Sequence, residues 1–121
     1  EVQVTGASTI EMARKVAKAI VGSNLVKTAF FGADANLGRI LCAAGYGEPL
    51  IRTEQVEVKL GSVLVVDQGL PVDYDESKAT EVLKQEKVPI FVNLYQGEQA
   101  ATAWGCDLTY DYVKINASYR T

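Results

Sequence analysis

The C-terminal segment 104–121 holds the side chains of this sequence that are best suited to chemistry. It is rich in aromatic residues, namely Trp104, Tyr110, Tyr112 and Tyr119. Chain ends usually fray, so an end of this composition is expected to be held against other structure. One interpretation is a final helix or strand docked on the core by its aromatic rings. The other is that Asn116 and Thr121 present an amide and a hydroxyl to a small polar ligand.

The chain contains no histidine. This removes the Ser–His and Cys–His nucleophile pairs, the commonest zinc ligand and the commonest general base. Cys42 and Cys106 lie far apart and in no paired motif, so we expect two free, buried thiols and no metal site. If the chain belongs to an enzyme, the chemistry uses another kind of base, or the reacting groups lie on a different chain.

The composition is that of one folded domain, residues 1–121. Hydrophobic residues make up 48% of the chain and charged residues 22%, as in folded rather than disordered proteins. The net charge of -3 and the lack of a basic run disfavour a nucleic-acid partner. No apolar run approaches the roughly 20 residues that span a bilayer, and the first residues do not resemble a signal peptide. We therefore expect no membrane partner and a cytoplasmic location.

The elements that must position the C-terminal segment begin with a strand at 2–5, which Gly6 interrupts. Ser8 and Glu11 are spaced as a capping box, which predicts the start of a helix that ends near Gly22. Its apolar residues recur at helical spacing: Ile10, Ala13, Val16, Ala17 and Ile20. The apolar run 25–31 is predicted to be a central strand.

A polar turn at 32–39 follows, and Asp34 or Asn36 is predicted to cap a short helix that ends at Gly45 or Gly47. Two interpretations of the turn remain open. Its acid and amide hold the backbone by local hydrogen bonds, or Asp34 and Arg39 shape the rim of a ligand site. The spacing of its glycines does not fit a phosphate-binding loop.

The second half of the chain predicts strands at 56–60, 63–66, 88–94 and 99–105. Gly61-Ser62 suits a hairpin turn, and Asp73 or Asp75 is predicted to cap a helix. Thr109 is predicted to cap a last helix through about Ile115, although a strand is possible there. The predicted fold class is α+β: a single mixed or antiparallel sheet with helices mainly on one face, in the order βαβαββαββα.

Three long motifs resemble one known family. They are Asn24–Ala29, Gly32–Cys42 and Ala103–Ala117. Their sequences are similar to the C-terminal part of the β chain of ornithine acetyltransferase, the bifunctional glutamate N-acetyltransferase of arginine biosynthesis. The motifs extend over almost the whole chain and are far more specific than a short pattern.

This resemblance implies an activity for the parent protein. In the family, the precursor cleaves itself before a Thr, and the α and β chains remain together as a heterotetramer. The new N-terminal Thr takes an acetyl group from N-acetylornithine, or from acetyl-CoA as co-substrate in bifunctional members, and passes it to glutamate. No other cofactor is implied. The amine of that Thr is a plausible base, which agrees with a chain that lacks histidine.

The resemblance also implies roles for particular residues. The family's C-terminal substrate-binding Asn and Thr fall on Asn116 and Thr121, and we assign the tail tyrosines to packing. The nucleophilic Thr falls upstream of Glu1, so this chain holds no catalytic residue and is expected to be inactive alone. The expected partners are the α chain and the remainder of the β chain. The alternatives are a small-molecule-binding domain that acts alone and a purely structural or oligomerising domain.

Overall fold

The computed structural model describes residues 1–119, in which one sheet of six strands is covered by helices. The strands are β1 (Val2–Ala7), β2 (Glu57–Leu60), β3 (Val63–Asp67), β4 (Leu70–Pro71), β5 (Ile90–Asn93) and β6 (Gln99–Ala103). The helices are α1 (Ile10–Gly22), α2 (Asn24–Phe31), α3 (Leu37–Gly47), α4 (Glu76–Leu83) and α5 (Tyr110–Ser118), with a 3-10 turn at Thr53–Gln55. The α+β prediction is confirmed.

Strand β1 lies inside the sheet, which has the order β4-β3-β2-β5-β1-β6. It pairs in parallel with β5, where Val2 lies opposite Ile90, and antiparallel with β6, where Val2 lies opposite Ala103. The other pairs are antiparallel. The sheet is therefore mixed, as predicted. Strand β6 is the edge beyond β1, and the short β4 with its proline is the opposite edge.

The core lies between the sheet and the helices, which cover one of its faces. Helix α1 contacts β1, β6 and α3, and it buries the residues that the helical spacing places on one side: Met12, Ala13, Val16, Ala17 and Ile20. Alternate residues of β1 and β5 face this layer, including the fully buried Val4 and Val92. Ala101 and Ala103 of β6 pack against the same core, because small side chains allow α1 to lie close.

The strand predicted at 25–31 is wrong, because these residues form α2. Ser23 caps this helix by accepting a hydrogen bond from the Val26 amide at 3.3 Å. The same residue closes α1, where its own amide donates to the Ile20 carbonyl at 3.3 Å. Val26 and Ala29 are the buried residues of α2, and their spacing of three is helical. The short apolar run fits both periodicities, and the Ser23 cap favours the helix.

Most of the predicted helix starts are confirmed. Asn36, Asp75 and Thr109 cap α3, α4 and α5 through their side chains. The cap of α1 is one residue later than predicted, because Thr9 rather than Ser8 accepts from the Met12 amide, at 3.0 Å. The Ser8 hydroxyl donates to the Met12 sulfur at 3.5 Å instead. The hairpin turn at Gly61 joins β2 to β3 as expected.

Gly6 occupies a position in β1 that only glycine fits. Its φ is +68°, and a Cβ there would overlap the Asn93 side chain and lie 2.8 Å from the Tyr95 amide nitrogen. The Gly6 carbonyl accepts from the Gln96 amide at 2.7 Å. The register of β1 against β6 shifts between Val4 and Ala7 around it. The predicted interruption at Gly6 is therefore a bulge at which the loop after β5 contacts β1.

We expect the substitution Gly6→Ala to lower the free energy of unfolding by about 3 kcal/mol, because the new Cβ meets both a strained φ and a steric overlap. The matched control is Gly45→Ala in α3, where a Cβ would meet nothing within 4 Å. Removing a glycine from a helix interior should stabilise the chain by about 0.5–1 kcal/mol. Urea denaturation measures both changes. Equal effects of the two substitutions would contradict this account of Gly6.

Candidate functional site

Asn116, one of the two predicted substrate-binding residues, lies on the surface of α5. The helix begins after Thr109, whose hydroxyl accepts from the Tyr112 amide at 2.9 Å. The Asn116 side chain is exposed, and its Nδ2 donates to the Tyr112 carbonyl at 2.8 Å. Thr121, the other predicted residue, lies outside the described residues. The pairing of Asn116 with Thr121 at a substrate therefore stays a prediction.

The tail tyrosines, which we assigned to packing, are exposed within this chain. The exposed fractions of Tyr110, Tyr112 and Tyr119 are 82%, 54% and 70%. Tyr110 makes an edge-to-face contact with Phe31 of α2, with ring centroids 5.5 Å apart. The described residues therefore leave these tyrosines largely exposed, and the contacts given for α5 within residues 1–119 lie near its start. The assignment to packing stays a prediction.

The turn at 32–39 is held by its own hydrogen bonds. Asn36 Oδ1 accepts from the Arg39 amide at 3.2 Å, and Asn36 Nδ2 donates to the Asp34 carboxylate at 3.3 Å. The Arg39 guanidinium donates to the Leu25 carbonyl at 2.9 Å, and it thereby ties α3 to α2. This geometry confirms the interpretation as a locally bonded turn. A role at a ligand-site rim stays a prediction.

A cavity of about 480 Å³ lies between the C-terminal ends of α1 and α4 and the segment that follows β6. Apolar side chains such as Val21, Val26 and Phe30 line it together with charged ones, including Lys27 and Asp107. A pocket of this size with both kinds of side chain could bind a small polar molecule. Sequence patterns do not reveal it, because its residues come from five separate parts of the chain.

Glu1 lines this cavity and is the centre of a polar cluster. Its carboxylate accepts from Gln3 Nε2 at 3.1 Å and from Trp104 Nε1 at 2.9 Å, and it pairs with Lys87 Nζ at 3.3 Å. The hydrogen bond from Gln3, followed by that from Trp104, lowers the pKa of the Glu1 carboxyl below its ordinary value of 4.5. Lys87 also lowers the pKa of the Glu1 carboxyl, whereas burial raises it. The cluster ties the end of β6 to the start of β1.

We expect the fluorescence of Trp104 to report the protonation of Glu1. Because the folded-state pKa of Glu1 is lowered, the cluster stabilises the chain above pH 4.5, and this stability is lost as the pH falls through the lowered pKa. Trp104 is the sole tryptophan, so its emission should change with a midpoint below pH 4.5. Glu1→Gln should abolish this change, and far-UV circular dichroism separates it from global unfolding. A midpoint at or above the ordinary value contradicts the assignment.

The sheet face turned away from the helices carries a second polar cluster. The Tyr95 hydroxyl donates to Glu57 Oε2 at 2.8 Å, and Lys59 Nζ lies 3.9 Å from Glu57 Oε1. The hydrogen bond to Glu57, and then the charge of that carboxylate, raise the pKa of Tyr95 above its ordinary value of 10.0. This phenol is therefore a hydrogen-bond donor at neutral pH rather than a base.

The two cysteines are free, as expected, but the prediction that they are buried is wrong. Both Cys42 and Cys106 are exposed. Cys42 lies on the outer side of α3, whose buried residues are Leu37, Ile40, Ala43 and Ala44. Cys106 follows β6 and lines the cavity. The apolar surroundings predict burial for Cys42, but the helical phase directs its side chain outward.

Nucleophilic and metal-assisted catalysis each require a particular arrangement of side chains. In residues 1–119, no hydrogen bond joins a Ser, Thr or Cys side chain to a carboxylate or lysine that could act as its base. The same residues contain no group of three or more potential metal ligands. They also contain no helix with the length and apolar character required to cross a bilayer. The fold defines an α+β domain with one mixed sheet.

The sequence of this chain is similar to that of known proteins from a single family. A model of the ArgJ family matches residues 1–121. The chain is 51% identical over 121 residues to the "Arginine biosynthesis bifunctional protein ArgJ" of Oceanobacillus iheyensis, and 54% identical to the protein with this name from Geobacillus kaustophilus. Each match covers 100% of this chain and 30% of the relative.

A solved structure agrees with these matches. The crystal structure of the arginine biosynthesis bifunctional protein ArgJ from Bacillus halodurans has a TM-score of 0.93 and 50% identity to this chain. The match covers 98% of this chain and 56% of the other. The chain therefore belongs to the ArgJ family, and the resemblance drawn from the three motifs is confirmed. It spans about 30% of the length of the curated relatives.

Proposed function

We propose that this chain is part of an acetyltransferase of arginine biosynthesis. The parent enzyme takes an acetyl group from N-acetylornithine, or from acetyl-CoA, and passes it to glutamate through an acetyl-Thr intermediate. The observation that carries the proposal is the family match over residues 1–121. The names of the relatives support the pathway, since they are arginine biosynthesis proteins described as bifunctional.

The role proposed for this chain is to supply substrate-pocket and assembly surfaces. Ornithine and glutamate share an α-amino-acid head group, and an Asn amide can both donate to and accept from such a group. The exposed position of Asn116 on α5 supports this role, because a neighbouring segment can reach it. Its partners are the α chain and the rest of the β chain. Thr121 is proposed as the second ligand of the substrate.

The chemistry itself is assigned to a segment outside this chain. A nucleophilic hydroxyl needs an adjacent base, and the hydrogen bonds described for residues 1–119 give no Ser or Thr such a partner. A Thr with a free amine at a chain terminus supplies nucleophile and base in one residue. Such a Thr needs no histidine as its base, and this chain contains no histidine.

We expect the 121-residue chain alone to show no acetyl transfer from N-acetylornithine to glutamate. The full-length polypeptide that contains it is the positive control, and both are measured by the release of ornithine at equal protein concentration. Far-UV circular dichroism verifies that the isolated chain is folded. Activity of the folded chain above the buffer rate would place the nucleophile within these residues and overturn the assignment.

In the full-length enzyme, we expect Asn116→Ala to reduce kcat/KM for N-acetylornithine by about 10- to 100-fold, the effect of one lost hydrogen bond to a charged group. Lys114→Ala, an exposed change on the same helix, is the matched control and should alter kcat/KM less than about threefold. Steady-state kinetics measure both. Unchanged kinetics of the Asn116 variant would remove this residue from the substrate site.

The cavity beside Glu1 favours a second candidate function, a domain that binds a small molecule by itself. Its volume of about 480 Å³ and mixed lining suit an amino acid. Isothermal titration of the isolated chain with ornithine and N-acetylglutamate separates the two functions. Saturable binding supports the second candidate, and the absence of heat at millimolar ligand favours the first.

A further inference from the structure

The cavity beside Glu1 has an apolar floor to which both the sheet and the helices contribute. Five of its lining residues are buried aliphatic side chains: Val2, Ile20, Val26, Leu83 and Ile90. The rings of Phe30 and Trp104 line it as well. A large apolar group placed on this floor is removed from water, which favours its binding. The floor is therefore suited to a ligand with an apolar part.

One wall of this cavity, the segment 104–107, is held in place on both sides. Gly105 lies so close to α1 that a Cβ at this position would be 3.2 Å from both the Cβ and the carbonyl oxygen of Val21. Further along, the Leu108 amide donates to the Lys27 carbonyl at 3.4 Å. The wall is therefore fixed to the end of α1 and to α2, and its charged residue Asp107 is brought near Lys27.

Lys27 and Asp107 carry opposite charges that no ion pair within residues 1–119 uses. The ion pairs of these residues are Lys15–Glu48, Lys59–Glu57 and Lys87–Glu1. Lys27 is half-buried, Asp107 is exposed, and both line the cavity. Glu86, a further carboxylate of the lining, follows α4 instead. The wall therefore presents one cation and one anion, both available to a ligand.

We propose that this cavity binds a free α-amino acid with a large apolar side chain, such as phenylalanine or leucine. The Lys27 ammonium group pairs with the α-carboxylate of the ligand, and the Asp107 carboxylate pairs with its α-ammonium group. The side chain of the ligand lies on the apolar floor. A ligand that carries only one of the two charges leaves one of these residues without a partner in a partly desolvated site, which costs affinity.

The inference narrows the second candidate function, on which it rests for the cavity alone, and it is independent of acetyl transfer. Ornithine and glutamate, the amino acids of the proposed reaction, fit this floor poorly. Each of them would place a second charged group against buried aliphatic side chains. The expected ligand therefore differs from the amino acids of the proposed reaction.

Isothermal titration of the full-length protein with L-phenylalanine tests the proposal. We expect saturable binding of one ligand per copy of this domain. Phenylethylamine lacks the carboxylate and phenylpropionate lacks the amine, so each should bind at least about tenfold more weakly, the effect of one lost hydrogen bond to a charged group. L-Ornithine should also bind at least about tenfold more weakly, because its side chain is charged.

Substitutions locate the ligand. Lys27→Met and Asp107→Asn should each weaken the binding of phenylalanine about tenfold or more, since each removes a charge-assisted interaction. Lys18→Met is the matched control, because Lys18 is exposed on α1 and lies outside the cavity lining. It should change the affinity less than about twofold. Thermal unfolding verifies that each variant is folded, and the ligand analogues test the two charges without any substitution.

Each outcome decides. The absence of saturable heat at about 10 mM phenylalanine, equal affinities for phenylalanine and its two analogues, or tighter binding of ornithine overturns the inference. Binding that Asn116→Ala abolishes and Lys27→Met leaves intact assigns the ligand to the proposed substrate site and also overturns it. Acetyl transfer is measured on the same samples. Activity without phenylalanine binding refutes this inference alone, and binding without activity refutes the acetyl-transfer proposal alone.

Discussion

The fold depends on the close contact of β1 with β5, β6 and α1. Helix α1 packs on β1 and β6. Four of its five buried residues, Ala13, Val16, Ala17 and Ile20, are small or β-branched, so the helix backbone approaches the sheet closely. At the far end of the strand, Gly6 allows the loop after β5 to contact β1. These constraints fix the parallel pairing of β1 with β5, which joins the two halves of the sequence.

Local signals predict much of this architecture. Ser, Thr, Asn and Asp mark the helix starts because their side chains satisfy free amides of the first turn, and three of the caps lie where such residues predict them. The error at 25–31 has a physical origin. A run of this length can bury alternate residues as a strand or every third or fourth as a helix, and composition does not separate the two. Ser23 favours the helix, since it ends α1 and caps the start of α2.

The candidate site was less predictable than the fold. The prediction that Asn116 is a site residue comes from the resemblance, and the helix that carries it follows from Thr109. The Glu1 cluster joins residues at opposite ends of the chain, and nothing in their local sequence indicates that Trp104 and Lys87 meet there. The outward direction of Cys42 depends on the exact phase of α3. Contacts of this kind form through the tertiary structure, so a reading of local patterns does not find them.

The two edges of the sheet differ in how readily they can accept a further strand. At one edge, β4 is only two residues long and ends in Pro71, which cannot donate a ladder hydrogen bond, so strand addition stops there. At the other edge, β6 consists of uncharged residues, Gln99–Ala103, and among the described strands it pairs with β1 alone. Self-association of this domain should therefore begin at β6. The substitution Thr102→Lys, at an exposed position of this strand, should reduce it, because a charged side chain disfavours pairing between edge strands.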